Sequence, residues 1–148
     1  MRILVDADAC PVKDEVLRVA ERHQAAVLLV SNRWHRIDHW LVEQVVVPEG
    51  PDAADHVIAE RCAPGDIVVT ADVPLAARCV AAGARPIDPR GRPFDEASIG
   101  MQVAVRDLMT ALRETGEITG GPAGFTKQDR SRFLDGLERL IQAAKRDG

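Results

Sequence analysis

The sequence predicts an α/β fold: one domain, a three-layer sandwich in which helices cover both faces of a mostly parallel sheet of four or five strands. Three observations predict it. The chain has 148 residues, 46% of them hydrophobic, which is the length of one domain with enough apolar matter for a sizeable core. Its strand-like runs are continuously apolar, as in strands buried on both faces, rather than alternating. These runs alternate with amphipathic helical segments across short turns, the order of a parallel sheet joined by helices. The domain is expected to span residues 1–148, with the C-terminal helices from about residue 95 packing on the same body.

Taken in order, the opening run Ile3-Leu4-Val5 is an apolar strand that delivers Asp6-Ala7-Asp8-Ala9 and then Pro11, a residue suited to the first turn of a helix. Residues 12–23 place Val12, Val16, Leu17, Val19 and Ala20 among charged residues, with Asp14 and Glu15 in the first turn, and read as an amphipathic helix. Residues 25–30 form a second strand, ending at Ser31-Asn32. The segment NRWHRIDHW, residues 32–40, gathers two arginines, two histidines and both tryptophans. It is read either as a substrate-contacting loop or as a structural segment whose tryptophans cover the sheet edge. A zinc site on His35 and His39 lacks a third ligand.

Residues 41–47 form a third strand, closed by the turn Pro48-Glu49-Gly50-Pro51. A helix over residues 52–62 follows, with Asp52 as an N-cap and Asp55 where the helix dipole favours negative charge. Residues 67–70 are a short buried strand running into Asp72 and Pro74, a second copy of the opening arrangement, before a helix over residues 75–82. Residues 85–87 make a last strand ending at Asp88. Asp95 caps a helix to about residue 114, and a glycine-rich connector over residues 116–124 carries no phosphate-loop pattern. Thr126 and Asp129 have the spacing of a capping box for a terminal helix whose core stripe is Phe133, Leu134, Leu137, Leu140 and Ile141.

Composition bounds the function. A formal net charge of −4 and aromatics at 3%, with no tyrosine, argue against a general electrostatic grip on long nucleic acid and against extensive base stacking. No DNA-binding motif is present. Cys10, Cys62 and Cys79 are odd in number and form no CxxC, so they read as reduced, mostly buried thiols of a cytoplasmic protein. The apolar run before Asp6 is too short for a signal peptide, and no stretch is long enough to span a membrane.

The chemistry-bearing residues lie at strand ends. Alternation along a strand would point Asp6 and Asp8 to the same side, with Ala7 and Ala9 leaving room for a ligand, and two such carboxylates invite a cation. Ligands of open parallel sheets bind at the carboxyl ends of the strands, and right-handed crossovers bring those ends onto one rim. Asp6, Asp8, Asn32, Asp72 and Asp88 are expected to gather there, with Asp52 and Asp55 as possible neighbours. The structural alternative is that these aspartates are helix caps and solvated loop residues.

With these residues in hand, the chain resembles the YaiI/YqxD family of uncharacterised bacterial proteins over essentially its whole length. The matching stretches are VDADACPVK (residues 5–13), GPDAAD (50–55), GDIVVTADVPLA (65–76), GRPFD (91–95) and FTKQDRSRF (125–133). The family is similar to PIN-like domains, in which acidic residues at strand ends bind Mg²⁺ or Mn²⁺ and hydrolyse RNA phosphodiesters. The resemblance implies that Asp6 matches the first-strand aspartate and Asp72 the one after the later strand, with Asp8 and Asp55 as further members. A glutamate that PIN nucleases carry on a helix has no obvious counterpart here, so Asp52 or Asp55 would substitute.

The resulting expectation is a metal-dependent nuclease-like hydrolase. Asp6, Asp8 and Asp72 would hold Mg²⁺ or Mn²⁺, Asp55 would complete the site or position water, and Ser31, Asn32 and Thr70 would add hydrogen bonds. Lys13, Arg33 and Arg36 would neutralise substrate phosphates, and Trp34 would contact a base. Two rivals stand beside it. One is a haloacid-dehalogenase-like phosphatase using Asp6 as nucleophile, though Ala9-Cys10 follow the second aspartate where that class usually has threonine or valine. The other is a non-catalytic RNA or nucleotide binding module working through Trp34, Arg33 and Arg36.

Overall fold

Five strands form one sheet in which every pairing is parallel: β1 (Arg2–Asp6), β2 (Ala26–Ser31), β3 (Val42–Val46), β4 (Ile67–Val69) and β5 (Arg85–Ile87), in the spatial order β3-β2-β1-β4-β5. The computed structural model describes residues 1–50, 52–114 and 124–147, so the greater part of the expected glycine-rich connector lies outside the described residues. Its helices are α1 (Lys13–His23), α2 (Ala53–Arg61), α3 (Val73–Ala81), α4 (Glu96–Glu114) and α5 (Lys127–Asp147).

The two faces of the sheet are sorted by the two-residue period of the strands. Ile3, Val5, Val27, Leu29, Ile67, Val69 and Ile87 face α1 and α5, whose Val16, Val19, Phe133, Leu137 and Ile141 complete one buried core. Leu4, Leu28, Val30 and Val68 face the other way, against Ile58 of α2 and Leu75 and Cys79 of α3. The result is a three-layer sandwich. Helix α4 is attached outside α3 through Val73, Ala76, Phe94 and Ile99. The terminal capping box forms as its spacing predicts: Asp129 accepts from the Thr126 N–H at 2.9 Å, and the Thr126 hydroxyl accepts from the Asp129 N–H at 3.1 Å.

The chain builds the sheet outward in one direction, β1 to β2 to β3, then returns through α2 to the other side of β1 for β4 and β5. The strand order therefore reverses between β1 and β4, which makes the carboxyl ends of those two strands the switch point of the fold.

Two expectations need correction. Strand β1 ends at Asp6, and Ala7–Ala9 form a single 3-10 turn, so strand alternation does not place Asp8 beside Asp6. The segment after β2 also extends beyond the rim. Ser31 pairs with Val46 and Val27 with Val42, so residues 32–41 must run from the carboxyl to the amino end of the sheet. They do so as a crossover without a helix, anchored by Ile37 in the α1/α5 core and by reciprocal bonds between the Gln44 side chain and the backbone of His35. Trp34 and Trp40 consequently belong to opposite ends of this crossover. At 68% and 77% exposed they do not cover the sheet edge either.

The three cysteines are buried and unbridged, as expected, and burial together with the neighbouring Cys62 pushes the Cys79 thiol up to about 12, far from nucleophilic use. Among the described residues no helix is long and apolar enough to cross a membrane.

Candidate functional site

The rim at the switch point is built around two hydroxyls, each tied to one aspartate. Thr70, buried at the end of β4, donates from Oγ1 to Asp6 Oδ2 at 3.1 Å and accepts from the backbone N–H of Asp72 at 3.0 Å. One side chain thus joins the end of β1 to the start of α3. Ser31, 1% exposed at the end of β2, donates to Asp8 Oδ1 at 2.5 Å and lies 3.0 Å from His35 Nε2 and 3.2 Å from the Arg33 N–H. A hydroxyl has one hydrogen to donate and two lone pairs. With that hydrogen committed to Asp8, Ser31 accepts from both neighbours, which assigns the Nε2–H tautomer to His35. The Asn32 N–H closes the arrangement with bonds of 3.0 and 3.2 Å to the Asp8 carboxylate.

Asp6 is therefore drawn towards β4 and Asp8 towards β2. Both hydroxyls thus hold carboxylates in place. Asp72 occupies the N-cap of α3 and accepts the Leu75 N–H at 2.8 Å, so the capping role weighed for it is real, and it sits in the rim as well. Asp52 stands at the N-cap position of α2 without a side-chain cap bond. Asp88 is a turn residue: its Oδ1 accepts the N–H groups of Arg90 and Arg92, each at 2.9 Å.

The carboxylates interact as a group. Burial pushes the Asp6 carboxyl above its ordinary range; the Thr70 bond opposes this, while Asp8 and Asp72 add to it. Asp55, in the first turn of α2, is pushed up to about 6, by burial and then by Asp72, Asp6 and Asp52, with Arg78 opposing. Aspartates from β1, the 3-10 turn, α2 and the α3 cap thus share one electrostatic field. Among the described residues, however, no group of three or more His, Cys, Asp or Glu side chains stands close enough together to ligate one ion. The donor set is all carboxylate, the chemistry that suits a hard divalent cation such as Mg²⁺ or Mn²⁺, and a cation would relieve the repulsion that adds to burial in raising Asp6 and Asp55.

The predicted cationic residues are arranged unevenly. Lys13 donates from Nζ to the Cys10 carbonyl at 3.0 Å beneath the Asp8 turn. Arg33, Trp34 and Arg36 are exposed on the crossover. His39 is paired with Glu21 of α1 at 2.5 Å, which removes it from any pairing with His35. Sequence reasoning missed the role of His35. Its spacing from His39 suggested only a metal pair, whereas four residues from Ser31 it serves as a hydrogen-bond partner of the hydroxyl that holds Asp8. Burial, Lys13 and Arg33 hold its pKa below the usual imidazole range.

An acidic rim at the switch point of an all-parallel, doubly covered sheet defines the class: an α/β protein whose candidate site lies at the carboxyl ends of its central strands. The chain belongs to the uncharacterised YaiI/YqxD family, whose model matches residues 4–143. It is 61% identical over 146 residues to a UPF0178 protein of Rhodopseudomonas palustris (98% of this chain, 92% of the relative). It is 59% identical over 145 residues to one of Parvibaculum lavamentivorans (97% and 95%), and 56% identical over 147 residues to one of Nitrobacter winogradskyi (99% and 94%). No solved structure matches it.

Proposed function

We propose that the rim is a metal-dependent hydrolytic site for RNA phosphodiesters, of the PIN-like kind. The observation that supports this reading is the electrostatic coupling of Asp6 with Asp8 and Asp72, and of Asp55 with Asp72 and Asp6, among carboxylates of four separate elements near the point where the strand order reverses. Asp6, Asp8 and Asp72 would hold Mg²⁺ or Mn²⁺, which supplies an activated water and charge neutralisation of the leaving oxygen. The residues around them have separable tasks. Thr70 and Ser31 fix the directions of Asp6 and Asp8. Asp55, with its pKa near 6, takes up or releases a proton close to neutral pH. Arg33, Arg36 and Lys13 neutralise substrate phosphates, and exposed Trp34 offers a face for an unpaired base.

The test is incubation of purified protein with single-stranded and structured RNA in Mn²⁺. Cleavage by the wild-type chain that drops about a hundredfold or more in Asp6→Asn and Asp72→Asn supports the reading. RNA left intact by the wild type, or cut equally by the variants, overturns it. The competing reading, a non-catalytic RNA or nucleotide binding module, is favoured by the rim's lack of a closed ligand set among the described residues. It would show metal-independent binding that Trp34→Ala abolishes, without turnover.

A further inference from the structure

A second charged region lies where the turn after β5 meets α5. There a cavity of about 380 Å³ is lined by Arg90, Gly91 and Arg92 of the turn and by Asp129, Arg132, Asp135, Gly136 and Arg139 of α5. Four arginines face two aspartates in a chain whose formal net charge is −4. Asp129 is shared between two of the arginines, and Arg92 and Arg139 make no ion pair among the described residues. Arg90 and Arg132 stand 3.8 and 3.9 Å from the Asp129 carboxylate, which is already engaged by the Thr126 N–H of the capping box.

Two glycines create the juxtaposition. A Cβ on Gly91 would fall 2.4 Å from the Arg132 carbonyl oxygen, and one on Gly136 would fall 2.8 Å from the Gly91 carbonyl oxygen. Gly136 sits inside a 21-residue helix, where glycine is less favourable than alanine. The fold keeps it there so that turn and helix can touch backbone to backbone. That contact gathers like charges on both walls of one cavity, where arginines outnumber carboxylates two to one.

We propose that this cavity is a phosphate-binding site, taking the phosphate groups of a nucleotide-sized ligand or of a nucleic acid strand. All of its cations are arginines, whose planar fork suits two oxygens of one phosphate, and its volume is that of a small-ligand site. Arg90 also lines a second cavity, of about 210 Å³, with Pro11, shortly before α1, and with Ala71 and Asp88, just past the ends of β4 and β5. A strand lying across the rim therefore has a route to the arginines. The phosphate site stands whether or not the rim cleaves RNA.

Calorimetric titration in EDTA, which keeps the rim free of divalent metal, tests it with two probes: inorganic pyrophosphate and a short 5′-phosphorylated single-stranded oligoribonucleotide. The wild type is expected to bind at least one of them, with an affinity that falls steeply as salt rises. The doubly substituted Arg132→Ala/Arg139→Ala chain is expected to bind about tenfold or more weakly at an unchanged thermal midpoint, with Arg132→Lys/Arg139→Lys recovering part of the loss. Loss confined to pyrophosphate assigns a free phosphorylated ligand; loss confined to the oligoribonucleotide assigns a strand backbone. Absence of binding by the wild type, or binding unaltered in the alanine variant, overturns the site. Because no metal and no turnover enter this measurement, its failure is distinct from failure of the hydrolytic reading.

Discussion

The acidic rim and the arginine cavity are opposite solutions to the problem of concentrating one sign of charge. At the rim, topology does the work: parallel strands end on the same side, and short local bonds from Thr70, Ser31 and Asn32 aim each carboxylate. In the cavity, a single long-range backbone contact between Gly91 and α5 does it, and the arginines come from two segments about forty residues apart in the chain. The rim spreads its charge over four elements, whereas the cavity hangs on one close approach. A net charge of −4 over the whole chain thus says little about either local field.

The sharpest way to break the comparison is Gly91→Ala. At φ +91° a side chain is strained, and its Cβ would meet backbone rather than a movable side chain, so a loss of about 3 kcal/mol or more is expected in urea unfolding. Wild-type stability in that variant would show that turn and helix do not touch. Gly136→Ala should lose less, on the order of 1–2 kcal/mol, because the gain in helix propensity offsets part of the clash with the Gly91 carbonyl and with Ile87 Cδ1.

Asp55→Asn should act in the other direction. The folded-state pKa of Asp55 is raised from 3.8 to about 6, so the stability it contributes is full below its unfolded value and is lost as pH rises through 6. Thermal midpoints should therefore show the asparagine variant above the wild type at neutral pH, by about 1 kcal/mol after solvent screening, and level with it near pH 4. An equal offset at both pH values would remove Asp55 from the shared field. The smallest effect is expected from Thr126→Ala, about 1 kcal/mol or less, since it frays the first turn of α5 without touching the glycine contact. A loss as large as that of Gly91→Ala would mean that the cap, and not the close approach, holds α5 in place.

Most of the fold is legible in the sequence because its signals are local. Continuous branched runs mark β1, β2 and β4; proline and aspartate mark where α3 starts; the Thr126-Asp129 spacing marks α5. The strand order is a different matter, since nothing local says that the chain returns across β1 after β3, and it is this return that puts Asp6 beside Thr70. Asp8 departs from strand alternation for a related reason: β1 ends at Asp6, and nothing local marks the 3-10 turn that follows. The crossover over residues 32–41 reads as a single patch in sequence because its cationic and aromatic residues are adjacent, but the register of β2 with β3 stretches it along the sheet. The arginine cavity is invisible at the sequence level. Arg130 and Arg132 look alike there, yet Arg130 binds the Pro11 carbonyl, pairs with Glu15 and covers the Phe125 ring, while Arg132 faces the cavity.

A hydrolytic rim must accept a hard cation, and Mn²⁺ titration calorimetry of the wild type beside Asp6→Asn tests that most directly. At about pH 7.5 the wild type should bind Mn²⁺, more weakly at about pH 5 where Asp55 holds a proton, and Asp6→Asn should lose binding by about tenfold or more. Mn²⁺ binding that is absent from the wild type, or the same in Asp6→Asn, would contradict it.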